Sequence, residues 1–101
     1  MLDSHTFSGT DSEQIIAADE NRDHITIQNH TTSAPVFLGF GETAVNNKGI
    51  KLIYPGCSVR VTGAKARLAV YGIEPTGTGG TVGIETTEDV EYRPGSYAYG
   101  Y

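Results

Sequence analysis

Arg22-Asp-His-Ile-Thr-Ile-Gln-Asn-His-Thr-Thr-Ser-Ala-Pro-Val-Phe-Leu-Gly-Phe-Gly41 decides the fold class. In its first half Ile25 and Ile27 point to one face of an extended segment, and His24, Thr26 and Gln28 point to the other. A polar, small-residue break runs from Asn29 to Pro35, after which Val36, Leu38 and Phe40 fall in step on one side. Two period-two runs across a short break predict antiparallel strands, each with one buried face. The break is too long for a two-residue turn, so it is either a looped hairpin or a crossover between sheets.

Two residues bracket the first strand. Asn29 stands at its end, where its amide can satisfy backbone groups. Arg22 stands at its start and is expected to pair with Asp19, Glu20 or Asp23 at the surface, worth under about 1 kcal/mol. Gly39 and Gly41 flank Phe40 and let backbone bend or approach closely while the ring fills the core.

The remaining chain repeats the strand signal. Residues 1–12 read as an N-terminal arm with a short strand around His5–Ser8. Gln14–Ala17 carries Ile15 and Ile16 and fits a first strand or a turn of helix; the polar, turn-prone Ala18–Arg22 that follows favours the strand. Glu42–Gly49 is a loop, with Ala44 and Val45 dipping toward the core. Ile50–Tyr54 alternates briefly with Ile50 and Leu52 inward, and Pro55-Gly56 turns the chain. Ser58–Thr62 alternates cleanly, with Val59 and Val61 inward, until Gly63-Ala64-Lys65 breaks it. Arg67–Ile73 is the longest apolar run and the best candidate for a central strand. Glu74–Gly80 reads as a flexible connector, and Thr81–Glu85 is a last strand with Val82 and Ile84 on one face.

About six or seven short strands with turns between them predict an all-β, small antiparallel sandwich, jelly-roll-like or immunoglobulin-like, or a short barrel with extended termini. The core is expected to hold Ile25, Ile27, Val36, Leu38, Phe40, Leu52, Val59, Val61, Leu68, Val70 and Ile84. The domain spans residues 13–85, and residues 86–101 form a Tyr-rich tail. At 101 residues there is room for one core only. The 13 glycines suit a turn-rich β fold rather than a helical bundle.

Function is less directly written. A net charge of −5 with scattered Lys and Arg argues against nucleic acid as partner. No apolar run is long enough to span a membrane as a helix, and Met1–His5 lacks the character of a signal peptide. Synthesis in a cytoplasm without export by that route is therefore expected. The single cysteine, Cys57, reads as a passive, partly buried thiol.

His5, His24 and His30 show no metal-ligand spacing. Thr76–Gly80 lacks the Lys and the following helix of a phosphate loop. Glu85, Glu88, Asp89 and Glu91 lack the Asp/Asn-Gly pattern of strong calcium loops and read as a solvated face. No Gly-x-Ser-x-Gly occurs. The expectation is a non-enzymatic protein without cofactor or metal.

The Tyr-rich end is the exception. Tyr92, Arg93, Tyr97, Tyr99 and Tyr101 gather aromatic surface with hydroxyl tips, the composition of an interface. These five are the candidate partner-binding residues.

The order of signals from Arg22-x-x-Ile25-x-Ile27-x-Asn29 through Val36–Gly41, Gly49–Leu52, Pro55-Gly56 and the final apolar strand resembles small β-sandwich virion proteins of tailed bacteriophages. These are capsid decoration (cement), head-fibre and tail-accessory modules. The resemblance covers roughly residues 13–85. It implies a virion structural protein, made in the host cytoplasm, that binds the major capsid protein or other virion subunits. It also implies a homo-oligomer, with a trimer slightly preferred. The alternative is a tail or neck accessory, or a receptor- or glycan-binding module. The loops Thr31–Ala34 and Glu42–Lys48 contain no aromatic residue, which favours the assembly role.

Overall fold

The computed structural model describes residues 1–53 and 56–88. Eight strands follow one another: β1 (Leu2–Thr6), β2 (Glu13–Ile16), β3 (Arg22–Asn29), β4 (Val36–Phe40), β5 (Ile50–Leu52), β6 (Ser58–Thr62), β7 (Val70–Ile73) and β8 (Thr81–Glu88). A 3₁₀ turn, Gly63–Arg67, separates β6 from β7. One sheet has the order β1-β8-β3-β6 and the other β2-β7-β4-β5, with all pairings antiparallel.

The fold is thus a small antiparallel β-sandwich, and its sheets do not close into a barrel. First strand pairs with eighth, second with seventh, third with sixth and fourth with fifth, which is the wiring of a jelly roll. Only the β4–β5 connection stays within a sheet. The break after Asn29 is a crossover, not a hairpin.

The period-two faces meet between the sheets. Ile25, Ile27, Val82 and Ile84 come from one sheet, and Ile15, Val36, Leu38, Phe40, Leu52 and Val70 from the other. Val59 and Val61 are only partly buried, because β6 is an edge strand. Residues 2–6, expected as a loose arm, pair along β8, and Phe7 is buried in the core with its N–H on the carbonyl of Gly80. Val45 is exposed, although Ala44 beside it is buried.

Leu68 corrects the expected core, being 41% exposed. The 3₁₀ turn consumes the start of the apolar run, so the strand begins at Val70 and Leu68 lies outside, against Gly41. Gly41 sits at φ 76°, a left-handed turn that glycine adopts without strain. At Gly39 a Cβ would come within 2.5 Å of the Glu42 carbonyl oxygen, so the backbone packs where no side chain fits. Cys57 is exposed rather than partly buried, because it lies in the turn entering the edge strand β6.

Arg22 corrects a larger expectation. It is 2% exposed and forms no salt bridge among the described residues. Its Nε donates to the Ala66 carbonyl at 2.6 Å, Nη1 to Ala17 at 3.1 Å and Nη2 to Leu68 at 2.8 Å. These carbonyls lie after β2 and around the 3₁₀ turn, where neither sheet ladder supplies a donor. Asn29 does the same at the other end of β3. Its Nδ2 donates to the carbonyls of Ala34 and Leu52, and its Oδ1 accepts from the Thr31 N–H. The central strand is therefore tied at both ends by buried polar side chains.

Candidate functional site

The outer face of the β1-β8-β3-β6 sheet is polar, and strand register places its side chains in rows. Leu2, Glu85, Thr26 and Arg60 form one row, and Ser4, Gly83, Gln28 and Ser58 the next. Gly83 contributes no side chain, so the second row is interrupted. A groove of about 430 Å³ results, lined by Leu2, Asp3, Thr26, Gln28, His30, Ser58, Gly83, Ile84 and Glu85. That volume falls within the range of ligand-sized clefts.

His30 forms one wall. A Cβ at Gly83 would lie 2.3 Å from its Cε1, so the ring is accommodated by the missing side chain. Its Nε2 is 3.0 Å from the Oε1 of Gln28, whose Nε2 donates to the Gly56 carbonyl at 2.8 Å. An amide oxygen only accepts, so His30 Nε2 carries the proton. At the other end Leu2 is 81% exposed. Glu85 forms no salt bridge among the described residues, while Asp3 accepts from the Ser4 N–H. The groove thus offers the Glu85 carboxylate, an amide, an imidazole, hydroxyls and one apolar side chain, while Asp3, in register with the inward Ile84, borders it. These side chains are chemically suited to hydrogen bonding and partial stacking.

The β7–β8 connection adjoins the His30 end of the groove and is anchored internally, not the flexible connector expected. Glu74 is 0% exposed. Its carboxylate accepts the N–H and hydroxyl of Thr76, and the N–H and hydroxyl of Thr78 at 2.8 and 3.1 Å. Burial alone would raise its pKa. The four hydrogen bonds outweigh burial and hold it below the ordinary value of 4.5. Glu13 behaves alike: burial raises its pKa, but His5 and the groups of Ser8 and Gly9 bring it below 4.5.

The sign of the pH effect follows. A carboxyl with a lower pKa when folded contributes stability fully above its unfolded value and loses it as pH falls through the folded one. The melting temperature is therefore expected to hold steady above about pH 5 and to fall on acidification from about pH 4.5. Glu74→Gln should lower the melting temperature at pH 7 and flatten the acid limb. A parent-like acid limb in that variant would show that Glu74 contributes nothing to it.

Other sequence candidates stay apart. His24 Nδ1 lies 3.2 Å from the Asp23 carboxylate, His5 Nε2 lies 2.9 Å from Glu13, and His30 is in the groove. Among the described residues no three His, Cys, Asp or Glu side chains come together as a metal-binding group, and no helix is long and apolar enough to cross a membrane. Of the acidic cluster, Glu85 reaches the groove; Asp89 and Glu91 lie outside the described residues. So do all five expected partner-binding residues, Tyr92, Arg93, Tyr97, Tyr99 and Tyr101.

Sequence reasoning missed the groove. It placed Thr26, Gln28 and Ser58 outward correctly, but nothing local indicated that Gly83 and Leu2 lie beside them.

By fold and site the chain is an all-β jelly-roll sandwich with a polar groove on one outer sheet face. No protein-family model, curated protein or solved structure matches it.

Proposed function

We propose that this chain is a non-enzymatic structural subunit of a tailed-bacteriophage virion, a decoration module that docks on the capsid shell or on neighbouring subunits. One observation carries the reading. Among the described residues, which end at Glu88, both sheets and a shared core are already formed, and four of the six tyrosines follow in residues 92–101. A stretch this rich in tyrosine has the composition of a partner-binding surface. The resemblance of residues 13–85 to phage β-sandwich modules supplies the virion setting. The jelly-roll architecture, shared with viral capsid domains, supports it by analogy alone. Assembly is expected to be homo-oligomeric, a trimer ahead of a dimer, as virion accessories occupy symmetric positions.

A chain ending at Glu88 tests this. It is expected to keep a β-sheet far-UV spectrum and a cooperative melt, and to lose self-association and co-sedimentation with phage heads. Association and head binding equal to those of the full chain would overturn the proposal.

The groove favours a second reading, a receptor- or glycan-binding module. Gln28, His30, Thr26, Ser58 and Glu85 are side chains suited to hydrogen-bonding a polyhydroxylated ligand. Saturable binding of a simple oligosaccharide, abolished by Gln28→Ala, would support it.

A further inference from the structure

We propose that the edge of β1 facing away from β8 pairs antiparallel with β1 of a second copy of this chain, in register about Ser4. The inference rests on the homo-oligomeric reading above and takes the dimer, which that reading ranks behind the trimer.

Backbone direction identifies the edge. Among the described residues β1 has one neighbour, β8. The Met1 amine and carbonyl exchange hydrogen bonds with Thr86, and the Phe7 N–H reaches the Gly80 carbonyl. Backbone groups alternate along an antiparallel strand, so those of Asp3 and His5 also point to β8, and those of Leu2, Ser4 and Thr6 point away from it. The Ser4 N–H is accordingly met by the carboxylate of its own Asp3 at 2.8 Å, in an exposed position. An edge of this kind is a template for another strand.

Charge selects a copy of the same strand. Centred on Ser4, two β1 strands set Leu2 opposite Thr6, Asp3 opposite His5 and Ser4 opposite Ser4. Leu2, Ser4 and Thr6 then exchange about six backbone hydrogen bonds across the two-fold axis, and Asp3 and His5 form the closer pairs between them. The Ser4 N–H passes to the other copy, which frees the Asp3 carboxylate for His5. Glu13 already takes the Nε2 proton of His5 at 2.9 Å, so a protonated Nδ1 completes the pair. Leu2, 81% exposed, gains the Thr6 side chain as a neighbour. The other edges oppose such pairing. Centred likewise, β6 sets Arg60 against Arg60 and β5 sets Lys51 against Lys51. β2 has four residues, broken by a register shift between Gln14 and Ile16. The β1 contact is two-fold and closes on itself. Its five residues are few beside the roughly 20–30 a side of a standard interface, so it acts with the tail contact and not in its place.

Ser4→Pro in the full chain tests this. The Ser4 N–H lies outside the β8 ladder, so the far-UV spectrum and the melt should stay parent-like while self-association weakens by about tenfold or more. In a Cys57→Ser background, Ser4→Cys should form a disulfide-linked dimer on mild oxidation, because the two residues at the axis stand about 5.5 Å apart at Cα. The parent should associate more tightly at pH 6 than at pH 8, and His5→Gln should abolish the difference. Sedimentation velocity reads the association. Parent-like association of Ser4→Pro, with association abolished by ending the chain at Glu88, overturns the edge and leaves tail-mediated assembly standing. The reverse result overturns the tail and supports the edge. Association indifferent to pH overturns the Asp3–His5 register. A Ser4→Cys variant that never cross-links, or a full chain that stays monomeric at high concentration, overturns the edge contact, and head binding then decides the assembly reading.

Discussion

Replacing Arg22 with alanine is expected to destabilise the domain by about 3–5 kcal/mol, a large part of the roughly 5–15 kcal/mol that holds a small domain folded. Among the described residues the guanidinium faces carbonyls and no carboxylate, so the loss counted here is one of hydrogen bonds. Removing it leaves the carbonyls of Ala17, Ala66 and Leu68 without this donor, two of them around the 3₁₀ turn that leads into β7. A buried acceptor left unpaired costs about 1–3 kcal/mol, and partial wetting of the opened site recovers some of it. Arg22→Lys should restore less than half. An ammonium is a point donor and does not span three carbonyls as the planar fork does. Urea denaturation measures both variants. An alanine variant within about 1 kcal/mol of the parent would show that other contacts hold the turn against β3.

Phe40→Ala is expected to cost a comparable amount, about 3–5 kcal/mol, by transfer loss and by the cavity it leaves. Phe40 lies on the inner face of β4 with Val36 and Leu38, and β4 sits between β7 and β5. Collapse to fill the space is restricted on the side of Gly39, whose backbone already touches Glu42. Lys65 Nζ stands 5.4 Å from the ring centroid, so the variant also loses a cation–π contact worth about 0.5–1 kcal/mol at an exposed site. Phe40→Leu keeps most of the volume and should recover more than half of the loss. The two melts, compared at one pH, check the assignment, and a Phe40→Ala protein that melts like the parent would remove Phe40 from the core.

Proposed assembly and these stability effects belong to different parts of the chain. The large losses come from β3 and β4, at the heart of the two sheets. Truncation after Glu88 is expected to leave them intact, which makes folding and association separable in experiment.

Much of the strand layout was legible because alternation is a local property. Ile25 with Ile27, Val36 with Leu38 and Phe40, and Val82 with Ile84 each announce a buried face within a few residues. Asn29 at the end of its strand was legible for the same reason, since an amide there reaches its own loop. Phe37 shows the limit. Alternation turns it away from the core, yet it is buried on the outer side of β4, with Lys51 Nζ 5.8 Å from its ring centroid.

By itself the sequence determined an all-β domain with one core, the faces of most strands and the turns that punctuate them. Only the tertiary structure decided the jelly-roll order, in which β1 and β8 pair across nearly the whole described chain. It also decided that Arg22 is buried on carbonyls, that Glu74 organises its own turn, and that Leu2, Gln28, Ser58 and Glu85 share one groove. The reason is physical. Alternation is set by backbone geometry within each strand, whereas pairing and burial depend on which distant segments can cover one another and satisfy each other's polar groups.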